Sequence, residues 1–327
     1  MIIINMCSAR EGGARTIASS YLRYLIENDS QRTYLVLGPS WIGELNLPNN
    51  IHYLEKDHSG LNAILFSSLF ILWYWYKYKA QKIISFSNVN LLINCCKRIT
   101  YFHQFKVFTT FELKSFIYSA LIRLQTKSKF VVQTSFVKAK LSKKFNIPLS
   151  RVLVSWPGID FQDVDSDYYN RDLACLVNQG KSFIVPFYDI FSEHKNFEAI
   201  YKRGDYFFSK GIKVIITADH NEEYSHKAFH FIGKQSKNDL FYIYKNCDAM
   251  LFPSKVETVG LPIFEFSSFN KPVFVGNYNY VIELKKKFDT LHNVMVVDFE
   301  SDDFSLAQNL ENESSEYMNA EWDSLAD

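Results

Sequence analysis

The chain has 327 residues, with 36 Lys+Arg against 35 Asp+Glu and a formal net charge of +1. Hydrophobic residues make up 47% and charged residues 22%; this excludes a disordered or collagen-like chain, and the length suits two domains, each with its own core. The cysteines Cys7, Cys95, Cys96, Cys175 and Cys247 show neither CxxC nor CxxC…HxxxH spacing, which argues against a disulfide framework or zinc site and for a reducing compartment.

Residues 2–6 open with three β-branched isoleucines and read as a first strand, because no basic region precedes the apolar run as a signal peptide would require. Gly12-Gly13 follow, then a helix over 14–27 with Ile17, Tyr21 and Leu25 at helical spacing. Strands are predicted at 34–37, 82–86, 98–102, 130–133 and 152–155, and helices at 111–124 and 135–145. The apolar, aromatic run 61–76, closed by Lys77 and Lys79, holds 16 residues, whereas a membrane span needs about 20. It reads first as a buried helix. An interfacial helix is the alternative, since Trp73, Tyr74, Trp75 and Tyr76 beside lysines suit a headgroup zone.

The pattern breaks at Trp156-Pro157-Gly158-Ile159-Asp160, and residues 160–180 are polar, which places a boundary between domains 1–160 and 161–327. Alternation then restarts, with strands at 183–186, 213–217, 229–232, 250–252 and 273–275 and helices at 196–208, 239–247 and 262–269. Two successive β/α runs predict an α/β fold of two Rossmann-like domains facing an interdomain cleft.

Chemistry concentrates between Phe252 and Glu265. A strand ends at Phe252, a loop carries Glu257, and a helix opens near Gly260 with Pro262 in its first turn. Gly260 permits close approach of a ligand to backbone, and the free N–H groups of the helix start favour an anion such as phosphate. Glu257 and Glu265 would repel that anion, so their partners should be neutral sugar or ribose hydroxyls. On the residues alone, a surface loop followed by an amphipathic helix with a solvated Glu265 explains the segment equally well.

The segment resembles the hallmark of retaining GT-B glycosyltransferases, specifically glycosyltransferase family 4. That hallmark has two glutamates separated by seven residues around a Gly-Leu-Pro helix start, as Glu257 and Glu265 are here. The resemblance implies that Glu265 binds the nucleotide ribose, that Glu257 contacts the donor sugar, and that the backbone of Val259, Gly260 and Leu261 holds sugar and diphosphate. Val259 stands where the family usually has an aromatic residue. Gly12-Gly13 looks like the family's glycine loop near the donor phosphates, and the absence of G-x-G-x-x-G disfavours a dehydrogenase. Phe102-His103-Gln104 is similar to the segment whose His lies near the transferred sugar, although a lone His is more often structural. Ser155-Trp156-Pro157-Gly158-Ile159-Asp160 resembles the interdomain junction. Lys195, in His194-Lys195-Asn196, is similar to the donor-phosphate lysine, while Asp189 occupies the position of a second cation, usually Arg.

The resemblance therefore implies catalytic His103, Lys195 and Glu257; donor-binding Gly12, Gly13, Lys195, Glu257, Val259, Gly260, Leu261 and Glu265; and no cofactor beyond a UDP- or GDP-linked sugar substrate. Asp163-Val164-Asp165 and Asp165-Ser166-Asp167 match a metal-binding DxD pattern but lie in the polar linker; of His220, His226 and His230 only the last pair has helical spacing, and His230 falls in a predicted strand, so no metal is assigned. The implied activity is retaining sugar transfer to a glycan or lipid-linked saccharide in bacterial surface polysaccharide assembly, in the cytoplasm or at the inner face of its membrane. The alternatives are a degenerate binding module or an epimerase-like enzyme. Residues 97–152 carry twelve Lys/Arg against Glu112, a net of +11, so an anionic membrane surface is an expected partner through 61–79 and 97–152, with solvated helix faces as the plain reading. Nucleic acid is not expected, as no recognised motif accompanies the basic stretch. Residues 288–327 hold eleven acids and no Lys or Arg; this end would either cross back to the first domain or form a disordered tail.

Overall fold

A computed structural model describes residues 1–103, 108, 113–159, 170–178, 180–301, 303–304 and 315–326. Gln104, Lys106, Glu112, the acidic pairs of the 160–169 linker, Asp302, Glu311 and Glu313 lie outside the described residues. The chain divides into two compact units, Met1–Gly158 with Asn319–Asp327, and Ile159–Met318.

The first unit is built on β1 (Ile2–Asn5), β2 (Tyr34–Gly38), β3 (Ile51–Glu55), β4 (Lys82–Ser85), β5 (Lys97–Tyr101), β6 (Lys129–Val132) and β7 (Val152–Val154). They form one sheet in the order β3-β2-β1-β4-β5-β6-β7, with every pairing parallel. The strands are short apolar runs buried on both faces, as helices packed on both sides of a parallel sheet require. Strand β3 was not expected. It is an edge strand with only Ile51 buried, so it lacks an apolar run.

The apolar run near residue 61 forms consecutive helical segments, Gly60–Leu65, a wide π turn Phe66–Phe70, and Ile71–Tyr78. The expectation of a buried helix is corrected for one face. Ala63, Phe66 and Ile71 join a core with Ile3, Leu35, Leu37 and Ile83, while Leu61, Leu65, Leu69, Phe70, Trp73 and Tyr76 are exposed. Both faces are apolar, so no periodicity distinguished them.

Of the two alternatives for the C-terminal segment the structure shows the crossing back, since residues 319–326 group with the first unit and not with the second domain as bounded at 161–327. The cause is Trp322. It is fully buried among Tyr21, Tyr101 and Phe86, with ring centroids 5.2, 5.4 and 6.3 Å away. Its indole N–H donates to Ser20 Oγ at 3.1 Å, and the Glu321 N–H donates to the Trp156 carbonyl at 2.8 Å.

The second unit contains β8 (Lys181–Val185), β9 (Ile212–Ile216), β10 (Phe229–Phe231), β11 (Ala249–Phe252), β12 (Val273–Val275) and β13 (Val294–Val296). Their order is β10-β9-β8-β11-β12-β13, again all parallel. Both units are therefore Rossmann-like α/β domains. The helix expected at 196–208 is two shorter ones, Phe197–Tyr201 and Gly204–Ser209. They part at the turn Lys202-Arg203, and the second opens at Gly204, where a Cβ would meet the His226 ring at 2.8 Å.

Candidate functional site

Open parallel sheets hold ligands beyond the carboxyl ends of their strands, where the strand order reverses. In the second unit that point lies between β8 and β11. The loop after β8 ends in the 3₁₀ turn Glu193–Lys195, and the loop after β11 carries residues 253–260. The two loops meet through one ion pair, in which Lys195 Nζ donates to Glu257 Oε1 at 2.6 Å. Ser254 Oγ donates to the same oxygen at 2.8 Å. The two charged side chains are 20% and 18% exposed, so the pair is partly shielded from water and still reachable.

Aromatic groups support it. Lys195 Nζ lies 4.5 Å from the Phe187 ring centroid, a cation–π contact. The Tyr280 hydroxyl donates to the Ser254 carbonyl at 2.9 Å. Burial, reinforced by the Glu257 charge, holds the Tyr280 phenol protonated well above its ordinary range. Asn196, left-handed at φ 53°, donates through Nδ2 to Tyr278 Oη at 3.3 Å.

Downstream, Gly260 is left-handed at φ 70° and opens the short helix Leu261–Ser267. Only glycine adopts that backbone without strain. The side chains of Val259 and Leu261 are buried, so what this turn can offer a ligand is main chain. Glu265, one turn into the helix, is also buried, at 8% exposure. Its charge adds to burial in raising the phenol of Tyr244. Asp189, standing where a second cation was sought, accepts a hydrogen bond from Ser192 Oγ.

In the first unit the strand order reverses between β1 and β4. The loop after β1 ends at Gly12, left-handed at φ 59°, which with Gly13 begins the 17-residue helix Gly12–Asn28. The N-cap residue Glu11 provides no side-chain cap, and a Cβ on Gly12 would meet nothing within 4 Å. A polar cluster lines the same strand ends. Asn5 Nδ2 donates to Ser67 Oγ at 2.7 Å and to Ser85 Oγ at 3.2 Å, and Ser8 Oγ donates to Ser87 Oγ at 3.0 Å.

His103 follows β5. Its backbone N–H donates at 2.7 Å to Oδ1 of Asn88, a left-handed residue (φ 62°) on the loop after β4. Nδ1 of the ring is buried with no hydrogen-bond partner among the described residues, and burial lowers the imidazole pKa to about 4. The ring is therefore neutral at physiological pH.

Residues 208–314 match the family described as Glycosyl transferases group 1. The match includes Glu257, Val259, Gly260, Leu261 and Glu265, and excludes Lys195 and the residues of the first unit. Solved structures share the fold of the chain as a whole. WaaG, described as a glycosyltransferase involved in lipopolysaccharide biosynthesis, is 14% identical with a TM-score of 0.62, over 88% of this chain and 85% of that one. A glycosyltransferase from Rickettsia africae is 15% identical with a TM-score of 0.61, over 91% and 84%. HepE from Anabaena, in complex with UDP and glucose, is 14% identical with a TM-score of 0.59, over 86% and 82%. No curated protein matches the chain in sequence. At these identities the likeness establishes the two-domain α/β architecture of GT-B glycosyltransferases.

The structure joins Lys195 directly to Glu257 and places Val259, Gly260, Leu261 and Glu265 on the same loop and helix; Gly12, Gly13 and His103 gather on the first unit. Sequence reasoning missed Ser254, Phe187, Tyr280 and Asn88. Ser254 had a detectable signal, a hydroxyl three residues before Glu257 at a strand end. Phe187 and Tyr280 had none in a chain with 29 Phe and 20 Tyr.

Proposed function

We propose that the protein is a retaining, metal-independent glycosyltransferase of family 4. It moves a sugar from a UDP- or GDP-linked donor to a glycan or lipid-linked saccharide, on the cytoplasmic side, in assembly of a bacterial surface polysaccharide such as lipopolysaccharide or capsule. The observation that carries this reading is the Lys195–Glu257 pair at the strand-order reversal of the second unit, beside the left-handed Gly260. The match at residues 208–314 supports sugar transfer. The HepE complex supports a UDP-linked donor, and WaaG supports a role in lipopolysaccharide.

The reaction breaks the bond between the anomeric carbon and the diphosphate. Negative charge grows on the leaving oxygen and positive charge on an oxocarbenium-like sugar. The Lys195 ammonium and the N–H groups around Gly260–Leu261 are preorganised donors for the leaving diphosphate. Glu257 and Ser254 hold Lys195 in place, and Glu257 also faces the donor sugar. Glu265 binds the ribose hydroxyls. Under retention, the acceptor hydroxyl gives its proton to a donor phosphate oxygen, so no protein nucleophile is needed.

Removing one preorganised donor typically costs about 3 kcal/mol of barrier, on the order of a hundredfold in rate. Lys195→Ala and Glu265→Ala should each reduce sugar transfer at least that far while circular dichroism shows the fold retained. Full transfer activity in either variant overturns the assignment.

A further inference from the structure

We propose that the exposed ridge of the helical run 60–78, formed by Leu61, Leu65, Leu69, Phe70, Trp73 and Tyr76, docks the protein onto an anionic lipid bilayer. The proposal rests on the surface of the first unit and not on the transferase reading.

The ridge is built, not accidental. In a straight α-helix each i to i+4 step drifts by about 40°, so Leu61, Leu65, Leu69 and Trp73 would wind about a third of the way round the axis. A wide π turn, Phe66–Phe70, interrupts that drift, and Leu61, Leu65, Leu69 and Trp73 are all exposed. The inward face is pinned. Ser67 Oγ accepts from Asn5 Nδ2 at 2.7 Å, Ser68 Oγ donates to the Ile64 carbonyl at 2.7 Å, and the Ser68 carbonyl accepts from the Leu92 N–H at 3.2 Å. With that face fixed, Leu61 is 52% exposed, Phe70 62%, Trp73 55% and Tyr76 77%. Soluble surfaces carry single exposed apolar residues freely, but a contiguous ridge marks an interaction site.

Charge identifies the occupant. From residue 58 to 159 the sequence has fifteen Lys/Arg and one acid, Glu112. Lys77 and Lys79 are exposed at the carboxyl end of the ridge, and Lys77 Nζ lies 4.7 Å from the Trp73 ring. Lys97, Arg123, Lys127, Lys129, Lys143 and Lys144 of the same unit are also exposed. A second copy of the chain would bring like charges together, which costs affinity. An anionic bilayer accepts both features at once: apolar and aromatic side chains enter the headgroup boundary while lysines meet lipid phosphates. Among the described residues no helix is long and apolar enough to cross a membrane, so the run lies in the interface plane.

Flotation of the full chain with phosphatidylcholine vesicles, with and without phosphatidylglycerol and with no donor present, tests this. The protein should float with the anionic vesicles, less so at high salt, and not with neutral ones. The double variant Phe70→Ser, Trp73→Ser removes two exposed anchors and should bind about tenfold or more weakly with an unchanged melting temperature. Lys195→Ala should float like the wild type, which separates this proposal from the fate of the donor site. Failure of the wild type to float, or equal flotation of the double variant, overturns the proposal. So does a dimer in sedimentation that the double variant dissolves, because the ridge would then belong to a second copy.

Discussion

His103 follows β5 with Nδ1 of its ring buried and without a hydrogen-bond partner among the described residues, so the folded protein resists a proton that the unfolded chain accepts readily. The pKa falls from 6.5 to about 4 on folding. Between those values the unfolded state binds more protons, so stability is full above 6.5 and declines as pH drops toward 4. His230 adds to the same trend, its pKa lowered by burial and by Lys213. His103→Gln should therefore reduce, and not abolish, the fall in melting temperature across that window. An unchanged pH slope in the variant would mean that His103 stays solvated and titrates normally. The same residue marks the limit of reading single positions: its place at a strand end was visible in the chain, but its hold on Asn88 and its loss of water depend on residues distant in sequence. Glu257 and Glu265 could be placed on one loop and helix because the strand end at Phe252, Gly260 and Pro262 frame them. Asn88, which has no such frame, could not be.

At the scale of elements, helices and strands with a strong local pattern were legible. Helix Ser135–Phe145 begins where Thr134 Oγ1 accepts from the Val137 N–H at 3.3 Å and ends at the left-handed Asn146, as its capping residues imply. Edge strand Ile51–Glu55 was missed because it shows no sustained apolar or alternating run, whereas Val294–Val296 lies in a short apolar run much like Val273–Val275 and was passed over. The C-terminal segment was open between tail and docked end, since acidity dominates its composition while a single aromatic decides its position. Trp322 fills a site lined by Tyr21, Phe86 and Tyr101, and replacing such a residue by Ala typically costs about 3–5 kcal/mol. Truncation after Glu313 should destabilise the first unit by a comparable amount in chemical denaturation, and Trp322→Phe in the full-length chain should cost less. Unchanged stability on truncation would show that the segment contributes nothing to that core.

For the whole molecule, the net charge of +1 is a cancellation between a basic stretch at 97–152 and an acidic one at 288–327. Residues 319–326 of the acidic end anchor through Trp322 and main-chain hydrogen bonds. The proposed function makes a nucleotide diphosphate bind through local groups, chiefly Lys195 and the main chain around Gly260. Those groups belong to the second unit, which has its own sheet and core. A ligand that binds only the folded state at 100 times its dissociation constant stabilises it by about 2.7 kcal/mol. For a unit of this size that corresponds to a rise of roughly 5–10 °C in melting temperature. UDP or GDP should produce that shift, and where two transitions are resolved, only that of the second unit should move. Lys195→Ala should remove most of the shift while leaving the ligand-free melting curve in place. If neither nucleotide nor its sugars move either transition, the second unit does not bind the donor, and the reading as a binding module displaces the transferase.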